Sequence, residues 1–340
     1  MNLSYKNIEK NKPKVIIALS YDYANVGDIA IYIAQEKIIK QFFPNRIIVE
    51  IPMIDYYKYI EELKEIVNDD DIITIIGGGN MGSVYIAAEE RRRHLIESFP
   101  NNMIISFPQT VDFSYLGGDE ELEMFSKIYK STSYIKYFFR EKRSYDFMKK
   151  YLNEEDCLLV PDTVLYLCEK IEMPNDINRK DLLLCFRDDK EKIVENDIRE
   201  KFISLFKRHN MLDINTIDTY LGDITFEPEE RKKMFYDVLL NFYNSKGAIT
   251  DRLHGMIFAF ITKTPCIAFD NSTHKISSTY HTWMENVPYI KLVDKYDESL
   301  ILNYIDEFSK LDLTNIKLDY TKDFKPLFDE LDRLRSLNNE

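Results

Sequence analysis

The feature that most constrains this chain is a regular alternation of short apolar runs with segments of helical periodicity. Lys14–Ser20 is an apolar run, and residues 28–43 after it carry apolar side chains at helical spacing. Residues 71–76 and Cys266–Phe269 are further apolar runs, each followed by a helix-like stretch. Continuous β-branched runs between helices are typical of parallel strands covered on both faces. The alternation therefore predicts an α/β fold with parallel sheets.

One polar segment divides this pattern into two series. Residues 169–180 contain a proline and lack periodicity, and a new series begins at residue 182. A length of 340 residues suits two domains. We predict Rossmann-like domains at 1–168 and 181–315 that face a cleft, and a C-terminal helix within 316–340 that packs back on the first domain. Among the individual elements, strands are expected at 103–107 and 212–217, and helices at 274–284 and 323–337.

The composition argues against several classes of protein. The chain carries 45 basic and 58 acidic residues, and a net charge of -13 repels phosphate backbones, so nucleic-acid binding is not expected. The N-terminus shows no apolar signal region, and no apolar run approaches the length of about 18 residues that a membrane span needs. The four cysteines lie far apart without CxxC spacing. We therefore expect buried thiols, no zinc site and a cytoplasmic protein.

Glycine is scarce, and its placement is informative. Of ten glycines, four fall in the sequence GGGNMG at 77–82, between a predicted buried strand and a predicted helix. Glycines at such a place let the backbone approach a ligand and direct N–H groups at an anion. The spacing matches neither a P-loop nor a dinucleotide-binding loop. The alternative is a tight turn without a ligand. The candidate substrate contacts here are Gly77, Gly78, Gly79 and Asn80.

The first predicted strand leads into a second candidate site, the sequence NVGD at 25–28. Ligands of doubly wound folds bind at the carboxyl ends of parallel strands, which is where this turn is expected. Asp28 is predicted either to cap the following helix or to serve as an active-site carboxylate, and the two roles are compatible. Asn25 and Gly27 are candidate substrate contacts in the same turn.

The densest group of polar residues is TDRLHG at 250–255, where a predicted strand ends and an apolar helix begins. The guanidinium of Arg252 suits a carboxylate or a phosphate, and His254 titrates near neutrality. At a helix N-terminus, they predict a site for an anionic substrate that undergoes proton transfer. The alternative is that Arg252 forms a salt bridge with Asp251 or another acid, and that His254 is a buried structural residue.

Three further basic segments each allow two interpretations. Lys275 follows Asn271 and His274 in the sequence DNSTHK, which is either a second anion contact or a capping loop with a solvated lysine. Arg140 follows a predicted strand and is either a third cationic contact or an ion-pair partner. The run RRRH at 91–94 is predicted to be a solvated helix face paired with glutamates, the alternative being a contact with anionic lipid or with a diphosphate-lipid substrate.

Seven short motifs occur in a fixed order along the chain. They are NVGDIAI, GGGNMG, SFPQTV, FREKRS, VPDTVL, TDRLHGMIFA and DNSTHKI. Through these motifs the chain resembles the polysaccharide pyruvyl transferase family, of the type that acts in bacterial exopolysaccharide or capsule synthesis. The resemblance extends from about residue 14 to about residue 295. It implies a fold similar to that of the GT-B glycosyltransferases.

The resemblance also implies an activity. Family members transfer pyruvate from phosphoenolpyruvate to a sugar, usually as a cyclic ketal, and no metal or cofactor is expected. Arg140, Arg252 and His254 occupy the positions implied to hold and activate the donor. His254 suits the role of general acid, and Asp28 suits the role of base. We expect the donor on the DRLHG side of the cleft and the acceptor on the GGGN side.

Several parts of this prediction have alternatives. Lys275 is expected to add a cationic contact to the donor, and Asp251 is the alternative base. The acceptor is lipid-linked, nucleotide-linked or polymeric, and the sequence is compatible with a homo-oligomer and with a peripheral position at the inner membrane face. The rival functions are a GT-B-type nucleotide-sugar glycosyltransferase and a non-catalytic sugar- or anion-binding paralogue.

Overall fold

The computed structural model describes residues 5, 7–115, 117–131, 134–168, 170–174, 179–189, 191–192, 194–208 and 213–337. Its strands are β1 (Lys14–Ser20), β2 (Tyr23–Asn25), β3 (Ile47–Pro52), β4 (Ile72–Ile75), β5 (Gly78–Met81), β6 (Met103–Val111), β7 (Ile135–Phe139), β8 (Cys157–Leu159), β9 (Leu182–Cys185), β10 (Ile214–Ile217), β11 (Tyr220–Thr225), β12 (Gly247–Thr250), β13 (Cys266–Phe269) and β14 (Ile290–Val293). Its helices are α1 (Val26–Phe42), α2 (Tyr56–Ile66), α3 (Ile86–Ser98), α4 (Gly118–Ser131), α5 (Lys142–Met148), α6 (Asn196–Arg208), α7 (Pro228–Tyr243), α8 (Leu253–Ile261), α9 (Lys275–Thr279), α10 (Glu298–Ser309) and α11 (Lys325–Leu337).

Two parallel sheets form the two lobes of the molecule. The first sheet has the order β3-β1-β4-β6-β7-β8, with β5 paired to the end of β6, and the second has the order β10-β9-β12-β13-β14. The apolar runs of the sequence are the inner strands, and β1, β4 and β13 are buried along their whole length. The predicted fold class is confirmed: two Rossmann-like units face a cleft, as in the GT-B type.

The strand order reverses once in each sheet. The chain passes from β1 to its neighbour β3 on one side and then crosses to β4 on the other, and in the same way from β9 to β10 and then to β12. Such a reversal leaves a crevice beyond the carboxyl ends of the two central strands, where open α/β sheets bind ligands. The topology therefore places the residues after β1, β4, β9 and β12 at a binding cleft.

An antiparallel strand pair and a buried ion pair join the lobes beside this cleft. β2 pairs with β11, and the N–H of Val26 donates to the carbonyl of Thr219 at 2.7 Å. Arg231 of α7 forms a two-pronged ion pair with Glu50 of β3 at 2.8 and 3.1 Å. It also donates to the carbonyl of Tyr21 at 2.8 Å. These contacts fix the turn after β1 against the helix that leads into β12.

The C-terminal helix contacts the first lobe. The ring of Phe328 in α11 lies 5.2 Å from that of Phe42 in α1, centroid to centroid. The polar segment at 169–180 lies partly outside the described residues, at 169 and 175–178, as do the chain ends at 1–4, 6 and 338–340.

Several elements differ from the sequence prediction. β6 continues to Val111 because β5 pairs with its end, where Met81 is the register partner of Val111. The helix predicted at 274–284 starts at Lys275 and becomes π-helical over Tyr280–Met284. Residue 212, the predicted start of β10, lies outside the described residues. Five elements were not predicted from the sequence: β2, β5, β11, β14 and α10.

Candidate active site

A cavity of about 360 Å³ opens between the carboxyl ends of the two sheets. Its walls come from the ends of β2, β5 and β7 in the first lobe and from the residues after β9, β12 and β13 in the second. The sequence-predicted residues that line it are Asn25, Asp28, Gly79, Asn80, Arg140, Arg252, His254 and Lys275. The predicted residues that do not line it are Gly27, Gly77, Gly78, Asp251, Asn271 and His274.

The turn into α1 places Asp28 in the cavity. Asn25 caps this helix, because its side-chain oxygen accepts from the N–H of Gly27 at 3.1 Å, so the capping role proposed for Asp28 is wrong. Asp28 lies in the first turn and accepts a hydrogen bond from Tyr23 at 3.0 Å. Burial raises the pKa of Asp28, and the opposing influence of His254 offsets this only in part. Asp28 is therefore a stronger base than an ordinary aspartate.

Gly27 allows His254 to approach the first lobe. A β-carbon at Gly27 would stand 2.2 Å from Nδ1 of His254, well inside van der Waals contact. His254 belongs to the first turn of α8 and is 9% exposed. A glycine at this position thus lets a histidine of the second lobe lie against the start of α1, which carries Asp28.

The glycine cluster accommodates the protein's own side chains. Gly78 has a φ of +136°, which disfavours other residues, and a β-carbon there would lie 2.1 Å from the hydroxyl of Tyr21. A β-carbon at Gly79 would lie 2.9 Å from the guanidinium of Arg140. In place of the expected ligand-binding loop, this segment forms the short strand β5. Within β5, Gly79 and Asn80 line the cavity.

The prediction of a solvated helix face at 91–94 is wrong for two of its arginines. Arg92 and Arg93 are buried. Arg92 donates to Glu89 at 2.7 Å and also to the side-chain oxygen of Asn80. The reason is that α3 packs against β5 and α4, and a buried charge requires a paired acid. The arginine thus holds Asn80 from behind the cavity.

Arg140 is buried beside a carboxylate that the sequence analysis missed. Its guanidinium donates to Asp162 at 2.8 Å and to the hydroxyl of Thr110 at 2.7 Å. Burial alone would raise the pKa of Asp162, but His254 and Arg140 outweigh it and hold this pKa well below its ordinary value. Asp162 lies in the motif VPDTVL directly after β8, and that position was the available signal.

The guanidinium of Arg252 forms ion pairs with two carboxylates. Nε and one terminal nitrogen donate to Asp218 at 2.8 and 2.7 Å, and the other terminal nitrogen donates to Asp189 at 2.6 Å. The alternative of a salt bridge is therefore confirmed, with acids other than Asp251. Asp251 turns inward and accepts from the N–H of Arg187 at 2.7 Å, and burial raises its pKa from 3.8 to about 6. Its position outside the cavity removes it as an alternative base.

Lys275 is paired rather than solvated. Its ammonium lies 2.6 Å from Glu191, and burial lowers its pKa. Glu191 also accepts from Tyr85 of the first lobe at 2.7 Å and from Asn271 at 2.9 Å. Asn271 therefore contacts Glu191, the ion-pair partner of Lys275. His274 is exposed and pairs with the aspartate four residues earlier, so the structure does not bring it into the cavity.

Three charged lining residues of the second lobe were also missed. Arg187, Asp189 and Glu191 follow β9, the first strand of that lobe. Arg187 contacts Asp189 at 2.8 Å and Glu191 at 2.7 Å. In the first lobe, the segment after the first strand contained the predicted residue Asp28. The segment after β9 was therefore a usable signal in the second lobe. The acids are recognisable only through their contacts in the folded chain.

Among the described residues, no group of three histidine, cysteine or acidic side chains is placed to hold a metal ion. All four cysteines are buried, as expected. Within the same part of the chain, no helix combines the length and apolarity that crossing a bilayer requires.

Comparison with known proteins gives the following matches. The sequence profile of the family described as polysaccharide pyruvyl transferase matches residues 25–273. General stress protein 30 of Bacillus subtilis is 35% identical over 332 residues, covering 96% of this chain and 94% of that protein. Pyruvyl transferase 1 of Schizosaccharomyces pombe is 27% identical over 316 residues, covering 88% and 77%. A solved structure of an uncharacterized Klebsiella pneumoniae protein shares the fold, with a TM-score of 0.59 at 17% identity over 83% of this chain and 93% of that one.

Proposed function

The chain belongs to the polysaccharide pyruvyl transferase family, and from that premise we propose that it transfers pyruvate from phosphoenolpyruvate to a sugar of an exopolysaccharide or of its precursor. The product is a pyruvyl ketal that bridges two hydroxyl groups. The observation that supports this proposal is the cavity, where arginines, a lysine, a histidine and three carboxylates converge from both lobes. The donor carries a carboxylate and a phosphate, the groups that arginine and lysine recognise.

Arg252, Arg140 and Lys275 are the proposed donor contacts, and each is already paired with an acid. A charge-assisted contact contributes about 1.5–3 kcal/mol, so a donor anion can compete with a carboxylate for the same nitrogen atoms. Asp189 and Asp218 on Arg252 are the acids best suited to be replaced. Their side chains are partly exposed, and water solvates them once they are released.

The reaction begins with protonation of the donor's methylene carbon. His254 supplies this proton, the electron pair of the double bond forms the new C–H bond, and the neighbouring carbon becomes oxocarbenium-like. Such proton donation contributes about 10²–10⁴-fold. One sugar hydroxyl attacks this carbon and gives its proton to Asp28. A second hydroxyl then displaces inorganic phosphate from the same carbon, and its proton leaves with the phosphate.

The two lobes hold different substrates in this proposal. The donor binds beside α8 in the second lobe, and the acceptor lies against Gly79 and Asn80 of the first. The proposed acceptor is a lipid-linked or nucleotide-linked saccharide in the cytoplasm. We propose that the protein reaches it as a peripheral protein at the inner membrane face.

Calorimetric titration with phosphoenolpyruvate tests the donor assignment. The wild-type protein is expected to bind it saturably, and Arg252→Ala is expected to abolish the binding. Arg208→Ala is the matched control, because Arg208 is exposed and pairs with Glu298 away from the cavity. Folding of each variant is checked by circular dichroism.

A parallel titration with UDP-sugars separates the rival functions. Binding of a UDP-sugar without response to phosphoenolpyruvate would indicate a glycosyltransferase. Binding of phosphoenolpyruvate that survives Arg252→Ala would contradict the donor site. A bound donor that is never transferred to any saccharide would favour a binding protein.

A further inference from the structure

A buried carboxylate lies behind the histidine of the cavity. Nε2 of His254 is 3.5 Å from Oδ2 of Asp162, and this nitrogen is buried without a closer hydrogen-bond partner among the described residues, although the residue lines the cavity. Nδ1 lies on the other side of the ring, against Gly27. Because Nε2 is turned toward Asp162, Nδ1 is the ring nitrogen that is left to exchange a proton with a bound molecule.

We propose that Asp162 is a positioning residue that holds His254 in the tautomer with its proton on Nε2 and stabilises the imidazolium form. A carboxylate that accepts from one ring N–H fixes the tautomer and the orientation of an imidazole, and increases its affinity for a second proton. The proton that reaches the donor then leaves from Nδ1. The role of Asp162 in proton transfer to the donor rests on the proposed function, whereas its pairing with His254 does not.

The surroundings of Asp162 suit this role. Its Oδ1 accepts from the N–H of Val164 at 2.9 Å, and its Oδ2 accepts from Arg140 at 2.8 Å. The side chain is 1% exposed, so its interaction with His254 is weakly screened. Its pKa is held well below the ordinary value, so Asp162 is ionised at neutral pH. The carboxylate is therefore a fixed negative charge at Nε2.

Other charged groups also act on His254. Asp28 on α1 is coupled to it electrostatically. Arg140 of the first lobe pairs with Asp162. Five charged residues of the second lobe line the same cavity: Arg187, Asp189, Glu191, Arg252 and Lys275. Among the acids, Asp162 is the one that lies 3.5 Å from a ring nitrogen of His254.

Nuclear magnetic resonance of ¹⁵N-histidine-labelled protein tests the tautomer directly. The chain has five histidines, and the spectrum of His254→Gln identifies the signals of His254. In the wild-type protein, neutral His254 is expected to carry its proton on Nε2. In Asp162→Asn, which keeps the size and the acceptor for Val164, the proton affinity of His254 is expected to fall roughly tenfold or more.

Asp270→Asn is the matched control. It removes a carboxylate that lies 2.7 Å from Nδ1 of the exposed His274, so it is expected to change the titration of His274 and leave that of His254 unchanged. A neutral wild-type His254 protonated on Nδ1, or an unchanged titration of His254 in Asp162→Asn, would overturn the proposal. The tautomer of His254 in the wild-type protein tests the proposal even if Asp162→Asn fails to fold. The spectra are recorded without phosphoenolpyruvate, so the tautomer result holds even if the protein does not transfer pyruvate.

Discussion

The two lobes supply charged groups to the cavity in different ways. In the first lobe, Arg140 and Asp162 form a pair that is almost fully buried, and the Arg92–Glu89 pair behind the cavity is buried completely. In the second lobe, the two carboxylates on Arg252 keep 34% and 27% of their side-chain surface exposed. The pairs of Arg140 and Arg92 are therefore closed to water, whereas the carboxylates on Arg252 are partly open to it.

This difference separates two tasks. Removing one partner of a buried pair costs about 3–5 kcal/mol, because a charge is left without compensation. An exposed pair contributes only about 0–1 kcal/mol, because water can replace either partner. The first lobe is thus arranged before any substrate arrives. The second lobe can exchange a carboxylate for the anion of a ligand.

The largest effect is expected at His254, where the second lobe meets the buried pair of the first. His254→Gln removes the proposed proton donor and is expected to lower the turnover of pyruvyl transfer by about 10²–10⁴-fold at the optimum pH. His281→Gln is the control, because His281 is exposed and pairs with Glu285. Turnover of His254→Gln close to that of the wild type would remove the histidine from the mechanism.

Arg92→Met tests whether the first lobe is fixed by burial. The substitution leaves Glu89 buried without its main partner, so the free energy of unfolding is expected to fall by about 3–5 kcal/mol. Arg208→Met of the second lobe breaks an exposed pair with Glu298 and is expected to cost less than about 1 kcal/mol. Urea denaturation of both variants measures the difference. Equal losses would show that burial does not distinguish the two sets of pairs.

Asp251→Asn tests a fully buried acid of the second lobe that lies just outside the cavity. Burial raises the pKa of Asp251 from 3.8 to about 6, so the folded state binds the proton more tightly than the unfolded state. This contribution favours folding at low pH and is lost as the pH rises through the interval between those two values. At pH 7.5 the neutral amide is therefore expected to stabilise the protein by about 1–3 kcal/mol.

Urea denaturation at pH 4 and pH 7.5 provides the measurement for Asp251→Asn. The stability gain of the variant is expected at the higher pH and should nearly vanish at the lower. A gain of the same size at both values would mean that Asp251 does not titrate with folding.

The smallest effect is expected for Asp218→Asn, which frees part of the guanidinium of Arg252. If the donor anion replaces this carboxylate, the variant binds phosphoenolpyruvate more tightly, by about 3–10-fold, because the competing charge is gone. Calorimetric titration gives the dissociation constants. Weaker binding by Asp218→Asn would show that Asp218 supports the donor site, and the contrast between the lobes would not hold.

The sequence predicted the fold well because its signals are local. Strand-length apolar runs separated by helices are sufficient for the two sheets, and the polar residues after the strands gave Asp28, Arg140, Arg252 and His254. All four line one cavity in the structure. The motif TDRLHG was informative for the same reason, since a strand end and a helix start occur together there.

The partners of these residues were not visible in the sequence. Asp218 lies 34 residues from Arg252, and no local pattern connects them. The burial of Arg92 depends on how α3 packs, whereas helical periodicity shows which residues share a face but not which face is covered. Gly27 and Gly78 were recognised as informative, yet the side chains they accommodate, His254 and Tyr21, come from distant parts of the chain.

A crystal structure of the protein with phosphoenolpyruvate bound tests the central claim most directly. The account predicts the donor in the cleft between the sheets, its anionic groups on Arg252, Arg140 and Lys275, and its methylene carbon facing Nδ1 of His254. It also predicts that the carboxylate of Asp218 has left Arg252. A donor bound elsewhere, or one in the cleft with its methylene carbon away from His254, would contradict the account.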